Sequence, residues 1–326
     1  MNNKKVMQEH MRERLGKVFH ANMNPPLPKS LNIELNNTCN QKCVFCPFHG
    51  KYAVKKVEPA VLSKDFVKKM LTQAKSLGIG EKEVGFYLAG EAFLYPDLPD
   101  IISYTKKLGF KYTFLTTNGA LADTEKMEAV INAGLDSIRF SVNAPDAETY
   151  AELHGRDDFT QVLQNIKYMH EYIQKNNCNI ATSLSCVITK KTVGIEQDMK
   201  RIFSQYVDDI VFIPVMLERL NNLDELREMY EVISDEGASI DKSWICPVLF
   251  DTMYINAMGQ VVPCCNAYDE DVFFADLKKD NDMIKAWNSK GFMQYRSIFL
   301  QGASDENTIC KNCILRKKGV GRFLYE

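Results

Sequence analysis

The chain has nothing long and apolar enough to cross a membrane. Its longest apolar run, residues 210–217, holds eight residues, against roughly 20 for a spanning helix. The N-terminal segment lacks the apolar core of a signal peptide, because Glu9, Arg12, Glu13 and Arg14 break up its Val, Met and Leu. Charge of one sign is also missing: 40 Lys and Arg face 42 Asp and Glu, a net −2. That leaves no basic footprint for a nucleic-acid partner. Glycine and proline, 17 and 11 of 326 residues, are too few for a fibrous or linker-rich chain. These absences predict a cytoplasmic protein with no membrane and no nucleic acid among its partners. Against them stand ten cysteines. Structural disulfides are rare in a reducing compartment, so clustered cysteines there point to metal or redox chemistry.

Short apolar runs at 31–35, 83–88, 111–116, 137–141, 180–188 and 209–214 read as strands. Amphipathic stretches at 63–77, 98–108, 124–133, 159–174 and 195–206 read as helices between them. This alternation predicts an α/β fold with a parallel sheet, either partly closed into a barrel or doubly wound. Ahead of it, Val6, Met7, Met11, Leu15, Val18 and Phe19 keep mostly helical spacing until Pro25, Pro26 and Pro28 stop the pattern. Past residue 240 the reading changes to a hairpin turning at Gly259, polar loops and a helical stretch at 283–287. The expected domains are an N-terminal helix and linker at 1–29, a barrel at 30–239 and a small cysteine-bearing domain at 240–326.

Cys39, Cys43 and Cys46 form C-x3-C-x2-C on the loop after the first strand. Three thiolates this close can hold one soft metal centre. With three ligands a cubane iron–sulfur cluster would keep one iron open; the alternative is zinc borrowing a fourth ligand such as His49. Ala89, Gly90 and Glu91 follow the second strand, Thr116 and Asn118 the third, and Ser141 and Asn143 the fourth. In a β/α barrel these strand ends share one rim, the face on which active sites are built.

The cysteine spacing, with the aromatic Phe45 before the third cysteine, resembles the signature of the radical S-adenosylmethionine (SAM) superfamily. The resemblance implies a partial (β/α)6 TIM-like barrel and a 4Fe–4S cluster whose open iron binds SAM through its amino and carboxylate groups. Reductive cleavage would give a 5′-deoxyadenosyl radical that abstracts hydrogen from substrate, with flavodoxin or ferredoxin as electron donor. Phe45 is then expected beside the cofactor. Ala89, Gly90 and Glu91 match the family's Gly-Gly-Glu segment for the SAM amino group, with Ala89 in place of the first glycine. Thr116 and Asn118 would lie near the ribose, and Ser141 and Asn143 near the ribose or carboxylate.

Cys246, Cys264, Cys310 and Cys313 form a second set, and four thiolates suit either structural zinc or a fully ligated 4Fe–4S cluster. Cys246 with Pro247, Gly259 ahead of Cys264, then Ala286, Trp287, Asn288, Ser289, Arg296 and the closing pair resemble a SPASM/twitch extension. With no cysteine after Cys313, one auxiliary cluster is expected, able to accept an electron or else only to staple its domain. Of the remaining thiols, Cys178 falls at the far end of the barrel and Cys186 on a strand face turned to the helices. Cys265 is the candidate hydrogen donor. Ser183 and Ser185 share the inward strand face, His154 and Arg156 lie in a polar loop, and His10, His20 and His170 read as surface.

The expected function is net oxidation of a small-molecule substrate such as a sugar, cyclitol or nucleotide-sugar. A sugar epimerase and a SPASM-type peptide maturase are the alternatives, and a non-catalytic metal-binding protein is a remote one. The molybdopterin-synthesis branch is set aside, because its C-terminal cluster uses three cysteines and a Gly-Gly terminus, whereas this chain ends Leu324, Tyr325, Glu326.

Overall fold

In the computed structural model the described residues are 2–13, 21–54, 56–217, 220–232, 244–266 and 272–303, with Cys310 and Cys313. Leu15, Val18, Phe19 and His20, the basic residues Arg316, Lys317, Lys318 and Arg322, and the closing Leu324, Tyr325 and Glu326 lie outside them. Six parallel strands build the body: β1 (Ser30–Ile33), β2 (Glu83–Phe86), β3 (Thr113–Thr117), β4 (Ser137–Ser141), β5 (Ala181–Ile188) and β6 (Asp209–Pro214). They pair in the order β6-β5-β4-β3-β2-β1, which is chain order without reversal. A doubly wound sheet reverses beside its first strand. An unreversed run is how a β/α barrel grows, and the sheet is a partial barrel. The six predicted strands are present, their ends shifted by at most two residues.

Helix α1 (Asn3–Glu13) precedes the sheet, and α2 (Lys64–Leu77), α3 (Leu98–Lys107), α4 (Thr124–Asn132), α5 (Ala147–His154), α6 (Phe159–Asn176) and α7 (Glu196–Phe203) fill its connections. Their ends are written in the sequence. The Ser63 hydroxyl accepts from Phe66 N at 3.3 Å to start α2, and Gly78, at φ 75°, ends it. Leu31, Ile33, Val84, Phe86, Leu115, Ile138, Phe140, Leu184 and Ile188 point to the helices and are no more than 1% exposed. Cys186 lies in the same core, as its strand face predicts. Each such burial stabilises by about 1.5–3 kcal/mol, so this face drives closure of the sheet. The other face is free to be polar, and by alternation it carries Tyr87, Thr116, Arg139, Ser141, Ser183 and Ser185.

Helix α1 closes the end opposite the rim. Val6 and Met7 pack on Tyr112, Phe114 and Ala181, and Asn3 Nδ2 donates to Asn179 O at 2.6 Å. His10 is not the surface residue its helix suggested. Its Nδ1 is 3.0 Å from Glu83 Oε2, its ring stands edge-on to Tyr112, and 13% of the side chain is exposed. An amphipathic helix buries whatever lies on its docked face, and the docking partner was not legible locally.

Beyond α8 (Leu223–Tyr230) and the short α9 (Val248–Asp251), β7 (Thr252–Ile255) pairs parallel to β1. β8 (Gln260–Val262) and β9 (Ala275–Asp276) continue antiparallel. The predicted hairpin is there, with Gly259 at φ 83°, but it extends the barrel sheet. α10 (Met283–Trp287) and α11 (Lys290–Leu300) follow, and Trp287 Nε1 donates to Pro26 O at 2.9 Å.

Asp136, ahead of β4, ties this lower end together. Its carboxylate accepts from Thr113 N at 2.7 Å, Thr113 Oγ1 at 2.9 Å, Lys106 Nζ at 2.6 Å and Asn3 Nδ2 at 3.2 Å. Removing it strands these donors, so Asp136→Ala should cost about 3 kcal/mol. Urea denaturation checks this, and a loss below about 1 kcal/mol contradicts the assignment.

Candidate functional site

The loop after β1 is held by its backbone before any metal is considered. Cys46 N donates to Cys43 O at 2.9 Å and Gly50 N to Cys46 O at 3.1 Å. A Cβ on Gly50 would stand 2.5 Å from the carbonyl oxygens of both Cys43 and Cys46, so only glycine closes the loop this tightly. From the far side, Leu153 O and His154 O at the end of α5 accept from Val44 N at 2.9 Å and Lys42 N at 3.1 Å. Phe45 packs on a side cluster that includes Leu153, Leu217 and Leu226.

Cys39 and Cys43 feel the charge of neighbouring thiols. Burial pushes Cys39 up to about 11 and raises Cys43 and Cys46 as well, and for Cys43 the other two thiols add to it. Each sulfur meets N–H groups. Gln41 N is 3.5 Å and Asn118 Nδ2 3.8 Å from Cys39 Sγ, His49 N is 3.4 Å from Cys46 Sγ, and His154 Nδ1 is 3.6 Å from Cys43 Sγ. This donor set fits an iron–sulfur cluster: iron binds the thiolates that burial disfavours, and N–H groups face the charged sulfurs. Among the described residues, no three His, Cys, Asp or Glu converge on a point for one metal ion. The thiolates of a cubane bind different irons and need no such point.

The rim residues are stitched to this loop. Glu91 is 2% exposed, and its carboxylate accepts from Phe93 N at 3.1 Å, Thr117 Oγ1 at 2.7 Å and Asn118 N at 2.8 Å. Its own N–H goes to Thr38 O, and its carbonyl accepts from Asn36 Nδ2 at 3.0 Å. Within the segment expected to receive the SAM amino group, the Glu91 side chain thus also clamps the rim to the protein. A Cβ on Gly90 would lie 2.0 Å from Asn36 O, so Gly90 lets the segment sit against β1's end. Asn118 Nδ2 also reaches Asn40 Oδ1 at 2.8 Å. Asn143 is turned into the protein: Oδ1 accepts from Val187 N at 2.7 Å, and Nδ2 lies 3.1 Å from His154 Nε2. Thr116 and Ser141 are half-buried on the inner strand face.

Sequence reasoning missed Glu34, Asn36 and Gln41, which hold the rim together. The polar Glu34 and Asn36 directly after β1, and Gln41 between Cys39 and Cys43, were the available signal. Glu34 accepts from Ala89 N at 2.7 Å, Gly90 N at 3.3 Å and Ala257 N at 2.9 Å, joining the rim to the β7–β8 turn. His154, left as a loop residue, is 1% exposed and stacks on Tyr150 with centroids 3.8 Å apart. Burial pushes it down to about 3. Arg156 stays solvated and pairs with Asp158 at 3.1 Å.

The second cysteine set also assembles. Burial raises Cys246, with the charges of Cys313 and Cys310 adding to it, and Cys264 is raised by burial and by Cys265, Cys246 and Cys313. Cys313 N donates to Cys310 O at 3.2 Å. Thiols that feel one another's charge in this way suit one iron–sulfur centre shared among them. Arg296 stacks over Trp287 at 4.3 Å and donates from Nε to Leu249 O at 3.0 Å, tying α11 to the Cys246 loop. Cys265 Sγ lies 3.8 Å from Asn266 Oδ1, next in the chain to Cys264. Cys178, at the end of α6, is far from the rim as its position predicts.

Two sequence profiles match: the radical SAM superfamily over residues 33–194 and the SPASM iron–sulfur cluster-binding domain over 246–314. A probable GTP 3′,8-cyclase of Saccharolobus islandicus (strain M.14.25 / Kamchatka #1) is 30% identical over 259 residues, 77% of this chain and 78% of that protein. BtrN in complex with AdoMet and 2-DOIA superposes with a TM-score of 0.57 at 16% identity, covering 89% and 94% of the two chains. Streptococcus suis SuiB bound to the precursor peptide SuiA gives 0.61 at 17% identity, covering 83% and 67%. At such identities the structural likeness establishes the fold.

Two predictions follow from this geometry. Cys43→Ala should abolish SAM cleavage while leaving iron at the second centre, whereas Cys313→Ala should spare cleavage uncoupled from substrate; iron analysis and 5′-deoxyadenosine assays check both, and retained cleavage in Cys43→Ala contradicts the first. Burial raises Glu34 from 4.5 to about 7, so the folded state binds the extra proton between those values. Its contribution is present below about pH 4.5 and is lost as pH rises through about 7. Relative to Glu34→Gln, the wild type should lose on the order of 3 kcal/mol between about pH 5 and 8. A difference that stays flat with pH contradicts the burial argument.

Proposed function

The chain belongs to the radical SAM superfamily and carries a SPASM iron–sulfur domain, and from that premise we propose that it oxidises a carbinol carbon of a small polar metabolite. Its cofactors are those the two domains imply: a 4Fe–4S cluster with S-adenosylmethionine, and an auxiliary iron–sulfur cluster. When bound, the first pair supplies a 5′-deoxyadenosyl radical able to take a hydrogen atom. We assign Cys39, Cys43 and Cys46 to that cluster and Cys246, Cys264, Cys310 and Cys313 to the auxiliary one.

The observation that carries the reading is the polar inner wall of the half-barrel. Tyr87, Thr116, Arg139, Ser141 and Ser185 line it, and Tyr254 reaches across from β7 to place its hydroxyl 2.9 Å from that of Tyr87. Hydroxyl, phenol and guanidinium groups on a half-buried wall offer donors and acceptors that a polyhydroxylated substrate can share, beside the bonds they already make to one another, Tyr87 to Tyr254 and Arg139 Nε to Ser183 Oγ at 3.4 Å. The backbone of Ala89 and Gly90 receives the SAM amino group, while the Glu91 clamp fixes that backbone and Phe45 supports the loop from behind. Loss of the hydrogen atom would leave a carbinol radical; release of its hydroxyl proton to solvent or a polar wall group, and of one further electron, gives the carbonyl, and the four-cysteine centre is where the electron acceptor would sit. The reductant for the first electron is a low-potential carrier of the flavodoxin or ferredoxin kind.

A second reading comes from the relatives named GTP 3′,8-cyclase: GTP itself is the substrate, and the exclusion drawn from four cysteines becomes something to test. A redox-neutral epimerisation would make Cys265 the hydrogen donor. One experiment separates these. Anaerobic protein, reductant and SAM are incubated with polyols and sugars deuterated at carbinol carbons, and separately with GTP. Deuterium in 5′-deoxyadenosine with a carbonyl product is expected. Turnover of GTP with no deuterium transfer from the polyols and sugars contradicts the proposal, and a stereoinverted product with no carbonyl redirects it to Cys265.

A further inference from the structure

The imidazole of His154 is placed by partners that leave its proton one position. Asn143 N, which can only donate, lies 3.2 Å from Nε2. Nε2 is therefore the acceptor, and the neutral ring carries its hydrogen on Nδ1, an assignment made from the partners. That nitrogen is 2.9 Å from Gln41 Oε1 and 3.6 Å from Cys43 Sγ. Gln41 cannot turn its amide round, because Nε2 already donates to Tyr150 OH at 2.8 Å and to Asp158 Oδ2 at 3.4 Å. Gln41 Oε1 lies 4.0 Å from Cys43 Sγ and has no hydrogen to offer; besides the Cys43 backbone N–H, the side-chain hydrogen facing this sulfur is that of His154.

We propose that His154 is a positioning residue for the SAM-binding cluster, its Nδ1–H shared between Gln41 and the Cys43 sulfur. The contact fixes the ligand sulfur and stabilises the negative charge that reduction places on the cluster, so that the cluster accepts its electron at a higher potential. Hydrogen bonds to cluster sulfurs are one of the levers by which a protein sets such potentials. Nε2 links the same ring to Asn143 at the end of β4, so cluster loop and rim share one anchor. The inference rests on Cys43 being a cluster ligand.

The test is a redox titration, followed by electron paramagnetic resonance, of the reconstituted full chain and two variants. His154→Gln places an amide oxygen where Nε2 was and keeps the bond from Asn143 N, but has no donor towards Cys43. His154→Asn places an amide N–H near Nδ1. The component read is the one whose signal changes on adding SAM. His154→Gln should lower its reduced fraction on the order of tenfold at a fixed potential, and His154→Asn should recover most of that loss. A His154→Gln titration that overlays the wild type overturns the proposal. Should the variants fail to hold iron, the wild type labelled with histidine carrying 15N in the ring only decides, so that the His49 backbone N–H on Cys46 Sγ stays silent: pulsed resonance is expected to detect a histidine ring nitrogen coupled to the reduced cluster, and its absence overturns the proposal. Failure of the underlying cluster reading looks different, since then the wild type gives no SAM-responsive signal at all.

Discussion

Three thiols withdrawn from water at the ends of parallel strands set the constraint that the rest of the molecule answers. Burial favours the neutral form of Cys39, Cys43 and Cys46, and a bound cationic centre would favour their thiolates. The loop that presents them must therefore be rigid before the centre arrives. The chain achieves this from three directions: the carbonyls at the end of α5, the Gly50 close approach and the Glu91–Asn118 clamp. Each part is weak alone, and together they leave the loop one geometry.

The same logic explains the division of the sheet into two faces. The helix-facing side is apolar and nearly fully buried, and it provides the stability. That frees the inner side to carry phenols, hydroxyls and Arg139 at half-buried positions, where a globular core would put leucine. Continuing the sheet through β7 brings Tyr254 to Tyr87 and Ala257 to Glu34. The C-terminal segment is thereby coupled to both the rim and the wall.

Much of this was legible in the sequence where local pattern dictates the outcome. All six parallel strands followed from apolar runs, and both cysteine sets from their spacing. The hairpin at Gly259 followed from its turn. What the sequence did not disclose were long-range pairings. Nothing local marks β7 as a neighbour of β1, or His10 as a partner of Glu83. α11 was missed although Phe292, Arg296 and Phe299 recur at helical spacing, because polar neighbours blur a short amphipathic run. Glu91 and Asn143 were read as groups near a ligand; that their side chains also hold β3 and β5 depends on pairings no local pattern shows. His154 was hidden for a similar reason, since a histidine before Gly155 reads as a helix end until α5 is seen against the cysteine loop.

The most direct test of the central claim is a count of iron, acid-labile sulfide and zinc per chain, on full-length protein purified and reconstituted without oxygen. The account predicts about eight irons, about eight sulfides and no zinc, two cubanes of the cysteine-ligated kind. A chain that holds no iron would contradict it.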